Sequence, residues 1–332
     1  MKKFFLMLLI VCSITFIGCK EKETDKSFLE VITEMKSYKA EGIIESFFNE
    51  GRKQNNFVVY YKYPDLIKVE IKGVDNKEKQ IILKNQQGVY ILIPTVNKNF
   101  KINSSWPDSA GYPYLLQSLA KDIANDENKI VTDDELTTTI ETDTKMYKDA
   151  TPVKQKIIIN NETALPEEVL VYTENGDLYM RIVFTKIEID KDISDDEFIV
   201  EKTLSTARLE YEDQTVVFER EISYPTYFPV GSTLVAEDTI SSADGNDVRS
   251  IMKFIGENVG FTLIQEYVND KTVTTLTQET GEVFMILGNV GILKSNGMQM
   301  INEGVEYTIA TNDLKIDEMY KVMANYITDE GK

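Results

Sequence analysis

From Tyr38 to Ile93 the chain alternates apolar and polar residues with a period of two, broken only by short turn-forming stretches. The segments are 38–48, 56–63, 66–72, 79–83 and 88–93, with turns at Asn49-Glu50-Gly51, Tyr63-Pro64-Asp65, 73–76 and 85–87. Gaps this short leave no room for a crossover helix, so the strands run as an antiparallel meander. In 66–72, Ile67, Val69 and Ile71 share one face and Lys68, Glu70 and Lys72 the other, as a sheet with one covered face requires. Val89 to Ile93 is apolar on both faces. That strand must sit mid-sheet, beneath a helix or lid on one side and another apolar body on the other.

Helices are expected on either side of the meander. Ser27-Phe28-Leu29-Glu30 reads as a capping box, and Phe28, Leu29, Ile32 and Met35 form the stripe of a helix ending near Ser37. Trp106-Pro107 is expected to end the meander, and 112–123 to form a helix with Leu115, Leu116 and Leu119 on one face. Strands then resume at 129–132, 136–142, 153–160, 167–172 and 178–189, with Asn175-Gly176-Asp177 expected as a type I′-like hairpin turn. The order predicts an α+β fold: one curved, unclosed antiparallel sheet with helices packed into its concave side.

The beginning of the chain determines where this fold works. Lys2 and Lys3 precede an apolar run from Phe4 to Ile17, and Gly18 stands immediately before Cys19. This is the pattern of a bacterial lipoprotein leader, with 1–18 removed and Cys19 carrying a covalent diacylglycerol. The run falls short of the roughly 20 apolar residues a spanning helix needs. Residues 19–26 are charged and aperiodic, which fits a lipidated tether. The expected location is the extracytoplasmic face of the cell membrane or the spore envelope.

Composition removes most chemistry. The chain has no histidine, and its two cysteines are Cys12 in the leader and Cys19. A mature chain therefore offers no Cys/His metal site, no thiol nucleophile and no His-based triad. Thirty-six basic residues stand against 55 acidic ones, a net charge of −19, and the leader takes two of the lysines. Nucleic acid is excluded as a bulk electrostatic partner, and the membrane contact falls to the lipid anchor.

Tyr63-Pro64-Asp65 with its following strand, Asn85 to Tyr90, Pro94, Trp106 and Tyr112 to Asp122 resemble the LolA-type lipoprotein carriers. They are more similar still to the sporulation and germination lipoproteins of Firmicutes, the GerS- and YdcC-like proteins. The resemblance runs from about Ser27 to Val200. It implies a β half-barrel of about eleven strands whose apolar concave face is covered by helices. In the carriers that cavity takes lipoprotein acyl chains, which makes Ile67, Val69, Ile71, Ile91, Ile93, Leu115 and Leu119 the cavity-lining candidates here. For the germination relatives the resemblance implies a different role, binding and switching on a peptidoglycan amidase.

The pattern shifts at 203–209, which divides a half-barrel domain at 27–202 from a smaller α+β module at 209–328. The module opens on the Pro- and aromatic-rich stretch 220–231 and continues in strands at 233–238, 248–254, 261–268, 282–286 and 304–310, with a turn at Asp244-Gly245-Asn246. A helix at 315–327 turns Met319, Val322, Met323 and Tyr326 inward. It resembles a small module found at the C-terminus of many Firmicutes envelope proteins, and a recognition or stabilising role is expected.

Three constellations have plain readings. Asp190, Asp192, Ser194, Asp196 and Glu201 approach calcium-loop spacing, but Asp195 stands where the loop needs glycine, so a solvated linker is expected. Trp106 before a helix reads as a core plug. Asp133-Asp134-Glu135 has no neighbouring nucleophile or cation site and reads as a charged loop. The chain is expected not to be an enzyme and to need no cofactor beyond the diacylglycerol on Cys19. Two functions remain: docking an envelope protein such as a peptidoglycan amidase, or holding a lipid or acyl chain in the half-barrel. Phe28, Met35, Leu115 and Leu119 are large enough to fill a small half-barrel, which favours docking.

Overall fold

The computed structural model describes residues 27–48, 51–74, 78–211, 222–242, 248–268 and 275–327. The leader, Cys19, the tether and the turn at 244–246 lie outside these residues.

Helix α1 (Phe28–Glu34) starts on the expected box: Ser27 Oγ accepts the Glu30 amide and the Glu30 carboxylate accepts the Ser27 amide. A first meander follows, β1 (Ser37–Phe48), β2 (Gly51–Lys62), β3 (Leu66–Gly73), β4 (Lys79–Asn85), β5 (Gly88–Ile93) and β6 (Lys98–Asn103). Helix α2 (Leu116–Asn125) leads to a second meander, β7 (Ile130–Asp133), β8 (Thr137–Thr144), β9 (Val153–Asn160), β10 (Leu165–Tyr172) and β11 (Leu178–Ile189). The two join where β1 pairs antiparallel with β11, giving eleven strands from this part of the chain. At that seam β1 bulges at Gly42, where a Cβ would stand 2.2 Å from the Val183 carbonyl oxygen and 2.6 Å from the Phe57 ring. Glycine is required there by close approach.

The C-terminal part forms β12 (Thr233–Ser241), β13 (Val248–Ile255), β14 (Gly260–Tyr267), β15 (Thr275–Thr280), β16 (Glu282–Ile286), β17 (Asn289–Lys294), β18 (Gly297–Asn302) and β19 (Val305–Thr311), closed by α4 (Ile316–Ile327). Seven of these strands make a second antiparallel sheet in the order β12-β13-β14-β19-β18-β17-β16. The eighth, β15, leaves it and lies parallel to β6 as the twelfth strand of the first sheet. The α+β half-barrel with a smaller second α+β unit is thus present, and the second unit contributes an edge strand to the first.

Several local expectations need correction. The meander runs past residue 93 to β6, which reaches Asn103 before Trp106. Helix α2 begins at Leu116 because 112–115 is a turn that seats Tyr112 and Tyr114 in the core. In the β10–β11 hairpin only Gly176 takes a positive φ, 86°, and the register shifts at Val171/Tyr172. That is a turn with a bulge rather than a two-residue I′ loop. The pattern shift at 203–209 falls within a helix, α3 (Val200–Leu209), and 195–198 form a 3-10 turn capped by Ser194. Several carboxylates of that stretch have protein partners: Asp190 accepts the Lys36 amide, and Asp195, Asp196 and Glu197 pair with Lys62, Lys202 and Lys68.

The two-sided apolar pattern of β5 now has its cause. Tyr90 and Leu92, with Ile81 and Leu83 of β4, are buried on the convex face beneath Val200, Leu204 and Ala207 of α3. Ile91 and Ile93 point to the concave face, where the second sheet covers them. Alternation splits that sheet the same way: Val283, Val290, Ile292 and Ile301 face the first sheet, whereas Phe284, Leu293, Met298 and Met300 pack with Met319, Val322 and Met323 of α4.

Candidate functional site: the concave face and its seam

The concave face is built by β3, β5 and α2. Ile67, Val69 and Ile71 project from alternate positions of β3 and Ile91 and Ile93 from β5, while Leu115 and Leu119 approach from α2 and the turn before it. All seven are brought together in one cluster and none is more than 3 % exposed. Trp106 lies in the same cluster, fully buried and edge-on to Tyr112 with ring centroids 5.8 Å apart.

What closes the face is the chain itself. Val283, Val290, Ile292 and Ile301 belong to that cluster. Burying each contributes about 1.5–3 kcal/mol. The gap remaining between Ile91, Ile93 and Phe100 on one side and Val290, Ile292 and Ile301 on the other is about 10 Å³. That is room for about one water, against the roughly 300 Å³ or more of an ordinary ligand pocket.

Polar groups rim this apolar contact. The Gln80 side chain donates to the Ile301 carbonyl at 2.9 Å and accepts the Val290 amide at 2.6 Å. Tyr112 donates to the Val283 carbonyl at 3.0 Å, and Tyr320 of α4 donates to the Met285 carbonyl while its oxygen contacts the Tyr179 hydroxyl. Glu282 accepts from Ser104, Ser105 and the Ser105 amide, and Lys98 pairs with Glu306 at 2.8 Å. Burial pushes the hydroxyls of Tyr112, Tyr179 and Tyr320 up, so they remain protonated donors. None of Gln80, Glu282, Tyr179 or Tyr320 was singled out by sequence reasoning, because their partners lie about 140 to 220 positions away and share no local pattern with them.

The convex side carries a charge cluster. Lys68, almost wholly buried, pairs with Glu70 at 3.0 Å and with Glu197, while Lys79 pairs with Glu70 at 3.2 Å and with Glu210 at 2.7 Å. The two ammonium groups hold the Glu70 carboxyl below the ordinary carboxylate value despite its burial. These bonds fasten the 3-10 turn and the end of α3 to the sheet. Among the described residues, no cluster of carboxylates could hold a metal ion, and Asp133 and Asp134 cap their own turn through Thr138, Leu136 and Thr137.

The family model for YdcC-like sporulation proteins matches residues 1–198. The chain belongs to that family. It is 26% identical over 326 residues to the sporulation protein YdcC of Bacillus subtilis (strain 168), covering 97% of this chain and 96% of the relative. Solved structures with lower agreement include the MucA/MucB complex of Pseudomonas aeruginosa, at 11% identity and a TM-score of 0.32 over 90% of this chain and 95% of that one. A LolA superfamily protein from Nitrosomonas europaea matches at 12% identity and a TM-score of 0.31 over 52% of this chain and 96% of its own. Among the described residues no helix is long and apolar enough to cross a membrane.

Proposed function

We propose that this YdcC-like chain is a non-catalytic accessory protein of the cell or spore envelope. It is held on the extracytoplasmic face through diacylglycerol on Cys19 and works in sporulation or germination by docking an envelope enzyme, with a peptidoglycan amidase the leading class. One observation carries the choice of docking over lipid transfer: the concave face that would take an acyl chain is packed against the chain's own second sheet, and the gap beside Ile91 and Ile93 is about 10 Å³. Opening it would expose Val283, Val290, Ile292 and Ile301 and would break both of the bonds that Gln80 makes across the seam. The family name supports the sporulation setting, and the absence of any histidine supports a role without catalysis.

Native mass spectrometry of the mature protein, purified in mild detergent from sporulating cells, tests the reading. The expected spectrum has the anchor's mass and no further lipid, together with a stoichiometric complex containing a second polypeptide. A lipid-sized adduct beyond the anchor, and no protein complex, would return the half-barrel to the carrier role.

A further inference from the structure

At one end of the seam, two neighbouring hairpin turns of the second sheet meet β2 and β4. The β16–β17 turn takes positive φ at Leu287 and Gly288, 51° and 75°, and the β18–β19 turn at Glu303 and Gly304, 49° and 73°. Between these turns and the first sheet lies a cavity of about 200 Å³. Its lining is more polar than the Ile91, Ile93 and Phe100 contact with Val290, Ile292 and Ile301.

Two buried amides line it without satisfying themselves. Asn55 is 4% exposed and its Oδ1 has no hydrogen-bond partner; Asn289 is 5% exposed and its Nδ2 has none. An orphaned buried polar atom costs about 1–3 kcal/mol, so a matched pair of acceptor and donor on one small cavity is expensive unless something occupies it. Gly288 is held to glycine by the same geometry, since a Cβ there would stand 2.1 Å from Asn55 Oδ1. The third element is Glu78, whose carboxylate accepts from Gln80 Nε2 at 2.5 Å and from the Gly304 amide at 3.4 Å. Glu303 also lines the cavity. Lys53, the one cation of the lining among the described residues, is engaged by Asn302 Oδ1 at 3.0 Å.

We infer that this cavity is a binding site for a small primary amine carrying an adjacent hydrogen-bond acceptor. The ammonium would sit between Glu78 and Asn55 Oδ1, and the neighbouring hydroxyl or carbonyl would accept from Asn289 Nδ2. The charge of the lining agrees, with two carboxylates against one lysine among the described residues. Burial raises the Glu78 carboxyl to about 7, Glu303 adds to the rise, and Lys53 and the bonds from Gln80 and Gly304 oppose it. A ligand cation would relieve that burial. Because Gln80 bonds both to Glu78 and across the seam to Ile301 and Val290, an occupant would also brace the contact between the two sheets.

The probe is ethanolamine, added to the mature protein in mild detergent, with ethylene glycol as its uncharged counterpart and melting temperature and calorimetry as readouts. Ethanolamine is expected to bind and stabilise, ethylene glycol to do neither, and affinity to rise as pH increases through about 7. Glu78→Gln weakens binding about tenfold or more, and Lys53→Gln strengthens it, a pair of opposite effects that a folding defect does not produce. Vesicles of phosphatidylethanolamine distinguish sources: a response to free ethanolamine that vesicles do not exceed assigns a free amine, and a stronger response to vesicles assigns a headgroup. No binding of either, an equal response to ethylene glycol, or unchanged affinity in Glu78→Gln overturns the assignment. Each outcome is independent of whether a second polypeptide docks the protein.

Discussion

The side-chain carbonyl of Gln80 accepts the backbone amide of Val290 at 2.6 Å, across the seam between the two sheets. One residue of β4 thereby engages β17, and its amide reaches on to Ile301 at the end of β18. Gln80→Leu keeps the volume and removes both bonds across the seam as well as the one to Glu78, leaving two buried backbone groups orphaned at about 1–3 kcal/mol each. The variant is expected to lose about 2–6 kcal/mol in urea unfolding with an unchanged denaturant slope.

Glu78 makes stability depend on pH with an unusual sign. Its carboxyl is raised in the folded protein from 4.5 to about 7 by burial, so between those values the folded state holds a proton that the unfolded state has released. Stability from this group is therefore present below 4.5 and is lost as pH climbs to about 7. Glu78→Gln should flatten that slope and be more stable than the parent above pH 7 by about 2 kcal/mol. Thermal unfolding of both proteins across the range reads the difference.

Lys68 is nearly buried between Glu70 and Glu197, with the Tyr60 ring 4.3 Å from its ammonium. Lys68→Met leaves Glu70 with Lys79 alone and unfastens the 3-10 turn that leads into α3. Breaking a buried pair from one side costs about 3–5 kcal/mol; the partial exposure of Glu197 brings the expected loss to about 2 kcal/mol. Adding Glu70→Gln removes the stranded charge and should recover part of it. A double-mutant cycle gives the coupling, and additive losses would contradict the shared network.

The half-barrel was legible because its signal is local. Period-two alternation in Ile67, Val69 and Ile71, the capping box at Ser27 and Glu30, and the short turns between strands each act over a few residues. The run from Val89 to Ile93 gave more, since apolar residues on both faces required two covers, and α3 and the second sheet are those covers. Nothing in the run says which parts of the chain they are. Strand β15, Thr-Leu-Thr-Gln-Glu-Thr, has no apolar alternation of its own, and it pairs parallel with a strand about 180 positions earlier. Strand β6 was hidden for a similar reason, with lysines and asparagines around Phe100 and Ile102. The convergence of Asn55, Glu78 and Asn289 on one cavity is set by two turns docking on a distant sheet, and no spacing encodes it.

Leu119 decides whether the concave face is core or binding surface. A side chain lining an open, ligand-ready cavity can be trimmed at little cost to the empty protein, because its outer side touches solvent or ligand rather than protein. Leu119 and Ile91 are instead 0% and 1% exposed within one cluster that includes residues of the second sheet. Leu119→Ala and Ile91→Ala each remove buried methyl groups and leave a hole the neighbours fill only partly, at about 2–5 kcal/mol per substitution. Both are expected to lower the unfolding free energy by that amount in protein free of added lipid, and added fatty acid is expected to restore neither. Restoration of Ile91→Ala by a fatty acid, with no matching effect on the parent, would mean that the second sheet yields to an acyl chain and that the face can serve as a cavity after all.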